Sequence, residues 1–120
     1  MDNFVMNIRT EKWQAWTIVS IDGRLDLKFV GEFRKALEAL GDGVSPKIAL
    51  DFSQVSHLDS SALTLLLNFQ NRLKKKNGCI VLFGANEHNM DVITTVGFGS
   101  VVPTYLTRGD FERSVADTRS

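Results

Sequence analysis

Two short apolar runs, Ile48-Ala-Leu-Asp-Phe52 and Cys79-Ile-Val-Leu-Phe83, constrain this chain most. Pro46 precedes the first, and Asn77 and Gly78 precede the second. A nearly continuous apolar run of such bounded length suits a strand covered on both faces, and such strands belong mainly to parallel sheets linked by helices. The intervening segments fit that scheme. Phe29, Phe33, Ala36, Leu37 and Leu40 recur at helical spacing until Gly41-Asp42-Gly43. A second helix is expected from Asp59 or Ser60 to about Lys76, with Ala62, Leu66, Phe69 and Leu73 as its stripe, broadened by Leu63, Leu65 and Leu67.

The flanks complete the pattern. Residues 4–9 and 13–21 have strand character around polar Thr10-Glu11-Lys12, which predicts an antiparallel hairpin ended by Gly23. After the second apolar run, residues 87–96 suit a short helix stopped by Gly97. Val101 and Val102 suit a short strand before Pro103, and Asp110 is expected to cap a last helix that uses Phe111 and Val115. The order β, β, α, β, α, β, α, β, α predicts an α/β fold. Its mixed sheet should have an N-terminal antiparallel hairpin, mostly parallel crossovers and about four helices. With 120 residues, 43% of them hydrophobic, and no repeat or long linker, the chain reads as a single domain over residues 1–120 with short frayed ends.

Charge and cysteine usage narrow the function. Lysine plus arginine equals aspartate plus glutamate, which argues against direct nucleic-acid binding or a charged membrane-surface role. Cys79 is the one cysteine, so an intrachain disulfide or a cysteine-rich zinc site is ruled out, and a reduced thiol suits the cytoplasm. No segment approaches the roughly 18 apolar residues of a membrane span, and the first ten residues lack a leader pattern, so neither insertion nor secretion is expected. His57 and His88 have no companion ligands in sequence, so no metal or cofactor is implied. Lys74, Lys75 and Lys76 fall at a helix end, where the dipole and solvent account for them.

Chemistry concentrates where the first apolar run leads into the second helix, at Asp51-Phe-Ser-Gln-Val-Ser-His-Leu-Asp59-Ser60-Ser61-Ala62-Leu63. Free N–H groups and the positive dipole end at a helix start favour a capping carboxylate or hydroxyl, and equally a phosphoryl group. Asp59, Ser60 or Ser61 can serve as a plain cap. A serine-hydrolase reading of His57, Asp59 and Ser60 fails because residues so close in sequence do not readily form a nucleophile, base and orienter. A receiver-domain reading of Asp51 fails because the paired acidic residues after the first strand and the lysine near the last strand are missing.

This junction resembles the central signature of STAS domains, especially bacterial anti-sigma-factor antagonists, and Gly23-Arg24-Leu25-Asp26 resembles a second landmark of that family. The resemblance runs from about Phe4 to Val115. It implies a binding protein, not an enzyme. It implies that Ser60 is phosphorylated by an anti-sigma factor that is also a serine kinase, that phosphorylation blocks binding, and that a phosphatase restores it. Asp26, Arg24, Asp59, Ser61 and Ala62 are the partner-binding residues so implied. Ala62 stands where the family usually has glycine, and Arg24 where an acidic residue is common, departures that bear on which partner is recognised. The alternative within the same family is an unphosphorylated regulatory subunit of a membrane-transporter ATPase, and a nucleotide- or lipid-sensing module is a third reading.

Overall fold

The computed structural model describes residues 7–119. Five strands form one sheet in the order β1-β2-β3-β4-β5: β1 (Asn7–Trp13), β2 (Trp16–Leu25), β3 (Lys47–Leu58), β4 (Cys79–Phe83) and β5 (Thr104–Tyr105). Only β1 and β2 pair antiparallel, and the remaining neighbours are parallel. The helices are α1 (Val30–Leu40), α2 (Ser60–Lys74), α3 (Glu87–Thr95) and α4 (Arg108–Arg119). The expected α/β class, element order and mixed sheet are all present.

Side chains alternate across the central strands, which sorts them into two cores. Ile48, Leu50 and Phe52 of β3 and Ile80 and Leu82 of β4 pack with Phe33 and Leu37 of α1, Leu66, Phe69 and Leu73 of α2, and Ile93 of α3. On the opposite face, Ala49, Val81 and Phe83 join Trp16, Ile18 and Phe111 of α4. Three helices therefore cover one face and α4 covers the other. Arg108 anchors α4 to the hairpin, donating to Glu11 at 3.1 Å and to Glu112 at 3.0 Å.

Several boundaries differ from expectation. Thr10, Glu11 and Lys12 lie within β1, and the turn falls on Gln14 and Ala15, with Gln14 at φ 55. A two-residue hairpin loop needs such left-handed backbone, which glycine or asparagine usually announces; Gln-Ala does not. Residues 4–6 of the expected first strand lie outside the described residues. Val101 and Val102 form no strand. Gly97, at φ 68, turns the chain into a short 3-10 segment, Phe98–Ser100, and both valine N–H groups donate to the Phe98 carbonyl. The last strand starts beyond Pro103 instead. α4 begins before Asp110, whose N–H donates to the Thr107 hydroxyl at 3.1 Å, so Thr107 supplies the cap.

The main departure is the length of β3, which continues six residues past Phe52. Its register against β2 shifts twice, between Ser20 and Asp22 and between Gly23 and Arg24. Gly23 sits at φ 127 beside the second shift, a conformation L side chains rarely adopt, and the Ser56 hydroxyl donates to its carbonyl at 3.3 Å. The strands finish level, Leu25 opposite Leu58, and this pairing positions the candidate functional site.

Candidate functional site

Where β2 and β3 end side by side, the loop into α1 and the start of α2 are bonded to each other. The Asp59 N–H donates to the Leu25 carbonyl at 3.2 Å, and the Leu27 N–H donates to Asp59 Oδ2 at 3.1 Å. Asp59 is the N-cap of α2, its extended backbone at φ −117 turning the side chain back over the first turn. Asp59 Oδ1 accepts from the Ser61 N–H at 3.0 Å and also from the Ser61 hydroxyl. Of the expected capping candidates, Asp59 takes the role and Ser61 is fastened to it.

Burial pushes the Asp59 pKa up. The hydrogen bonds from the Ser61 hydroxyl and from the N–H groups of Ser61, Ala62 and Leu27 outweigh it and hold the carboxyl below its ordinary value of 3.8. Since the folded-state pKa is the lower one, the ionised carboxylate stabilises the fold fully above the unfolded value. That contribution disappears as pH falls through the folded pKa, below 3.8. Asp59→Asn turns one acceptor into a donor facing N–H groups, so it is expected to cost about 1–2 kcal/mol at neutral pH. The difference from wild type should shrink as pH falls below 3.8 and through the lowered folded-state pKa. Urea midpoints across this range check it; a constant difference would show that the charge is not linked to folding.

Asp26 organises the facing loop. Its carbonyl accepts from the Phe29 and Val30 N–H groups at 3.0 and 3.1 Å, starting α1 without a side-chain cap on Phe29. Asp26 Oδ1 accepts from the Lys28 N–H, and Arg24 Nε donates to Asp26 Oδ2, each at 3.1 Å. Arg24 thus pairs directly with Asp26 on the surface.

Ser60 is exposed at the first position of α2, and among the described residues its hydroxyl has no hydrogen-bond partner. Ala62 is 0% exposed, so its methyl belongs to the core and only its backbone contributes to the surface turn. The structure therefore brings together Arg24, Asp26, Asp59, Ser60 and Ser61, and turns the Ala62 side chain inward. Leu27, 74% exposed on the bridging loop, was not singled out by sequence, because an apolar residue before a helix ordinarily reads as core. His57 pairs with Arg24 across the strands and takes no part in the Asp59 hydrogen bonds. His88 is exposed on α3. Asp51 accepts from the Ser53 N–H at 2.9 Å and from the Ser20 hydroxyl at 3.4 Å, bonds that sit at the first register shift between β2 and β3. Lys76 donates to the Gly41 carbonyl at 2.9 Å and ties the ends of α1 and α2.

The STAS-domain family model matches residues 7–111, nearly the whole chain. This chain belongs to the STAS-domain family. No curated protein is similar enough in sequence to register as a match. Among solved structures, an anti-sigma factor antagonist from Mycobacterium paratuberculosis superposes with a TM-score of 0.82 at 24% identity, covering 93% of the STAS domain described here and 95% of its own chain. The Bacillus cell-fate determinant SpoIIAA in its phosphorylated form gives a TM-score of 0.64 at 20% identity, with 90% and 99% coverage. The STAS domain of a SulP transporter from Vibrio cholerae gives 0.62 at 13% identity, with 83% and 80% coverage. Both antagonist and transporter STAS domains share this fold. Among the described residues, no helix of this STAS domain is long and apolar enough to cross a membrane.

Proposed function

We propose that this STAS domain is an anti-sigma-factor antagonist that works by binding, in the cytoplasm, and is switched off by phosphorylation of Ser60. The carrying observation is the contrast between adjacent serines. Ser60 presents an exposed hydroxyl with no partner among the described residues, whereas Ser61 is tied to Asp59. A kinase needs a hydroxyl it can reach. Ser60 also heads α2, where the helix dipole and nearby N–H groups tolerate a phosphate within the domain itself.

The partner is an anti-sigma factor with serine-kinase activity, seated over Arg24, Asp26 and the turn from Asp59 to Ser61, with a phosphatase reversing the modification. The phosphorylated SpoIIAA structure supports this reading, since a neighbour of the same fold exists in a phosphorylated form. Incubation with the partner kinase and ATP, followed by peptide mapping, is expected to place phosphate on Ser60 and none on Ser61, and Ser60→Ala should abolish incorporation. Phosphate on Ser61, or incorporation that survives Ser60→Ala, would overturn the assignment. Stable capture of a transporter ATPase without modification would instead place the domain with transporter subunits.

A further inference from the structure

The sheet face under α4 carries a cavity of about 630 Å³, on the side away from α1, α2 and α3 and lying toward the hairpin turn. Trp16, Val81, Tyr105, Phe111 and Val115 supply its apolar wall, and Lys47 stands at its edge. Phe111 organises the aromatic part, with Trp16 edge-on at 5.1 Å and Tyr105 tilted at 6.0 Å between ring centroids. Gln14 and Ser114 add neutral polar groups to the lining, which leaves Lys47 as its one charged side chain. The volume lies within the roughly 300–1,000 Å³ range of small-molecule sites, and an apolar wall with a few polar orienting groups is the usual make-up of such a site.

Lys47 decides the sign of the ligand. It is exposed at the start of β3, and among the described residues its ammonium has neither an ion pair nor a hydrogen bond. We infer that this cavity binds a small amphipathic carboxylate, with the apolar body against Trp16, Phe111 and Val115 and the carboxylate at Lys47. The site lies on the other face of the sheet from Ser60, so the inference stands independently of the phosphorylation reading.

Trp13 and Trp16 are the chain's two tryptophans, and both pack on Phe111, so their fluorescence reports occupancy. Decanoate, below its micelle-forming range, is expected to change this emission saturably. Decanol should bind about two- to fivefold more weakly, the modest worth of an exposed charge pair. Lys47→Ala should bring decanoate down to the level of decanol while leaving decanol unchanged, and added salt should do the same. Val115→Phe, which fills the cavity, should weaken both ligands at least about tenfold. No saturable decanoate signal, equal affinities for the two ligands, or an unchanged Lys47→Ala variant would overturn the inference. So would full binding by folded Val115→Phe. Circular dichroism establishes that Val115→Phe is folded; if it is not, the Lys47→Ala comparison decides alone, because that side chain is exposed.

Discussion

Phosphorylation of Ser60 is expected to lower affinity for the anti-sigma partner roughly a hundredfold or more, without unfolding the domain. Phosphoserine adds about −1.5 to −2 charge and three acceptor oxygens. It would do so beside the ionised Asp59 and next to a loop where Asp26 already occupies Arg24. Unfavourable like-charge juxtaposition in an interface costs several kcal/mol, and each 1.4 kcal/mol or so is tenfold in affinity. Ser60→Asp supplies one charge without phosphate geometry, so it should fall between the two states and move nearer the unmodified one at high salt. Ser60→Ala should bind like the unmodified protein, since Ser60 makes no hydrogen bond among the described residues that its removal would break. Titration of all four forms against one purified partner at fixed ionic strength tests the order. Equal affinities for the unmodified and phosphorylated forms would sink the switch.

Gln70→Leu is expected to destabilise the domain by about 3 kcal/mol, lowering the melting temperature by roughly 10 °C. Gln70 is 2% exposed on the inner face of α2. Its Oε1 accepts from the Ile80 N–H at 2.7 Å, and its Nε2 donates to the Ile80 and Val101 carbonyls at 3.0 and 3.1 Å. One amide therefore joins α2 to β4 and to the segment after the 3-10 turn. Leucine has a similar volume but leaves the Ile80 N–H unsatisfied and takes a partner from both carbonyls, each buried loss costing about 1–3 kcal/mol. Denaturant unfolding measures the difference. A loss under about 1 kcal/mol would mean that water or a local shift replaces these bonds.

Strand and helix identities were legible because hydrophobic spacing is a local property. The runs at residues 48–52 and 79–83 and the stripe through Leu66, Phe69 and Leu73 report their own periodicity, and a buried parallel strand between helices follows from them. The Asp59-Ser60-Ser61 order likewise marked a helix start, and Asp59 caps α2 there. What sequence spacing did not contain was the pairing between distant segments. The two register shifts that bring Leu25 level with Leu58, and so connect Leu27 to Asp59, depend on interactions across more than thirty positions. The same is true of Gln70, which fits a helical stripe as an interruption until Ile80 and Val101 are placed beside it. Val101 and Val102 have high β propensity, but the Gly97 turn and the Phe98 carbonyl captured both N–H groups first, and tertiary hydrogen bonding overrode that local preference. The cavity beneath α4 is likewise a tertiary result: its apolar walls come from β2, β4, β5 and α4, and only packing gathers those aromatic side chains about Phe111 with Lys47 at the edge.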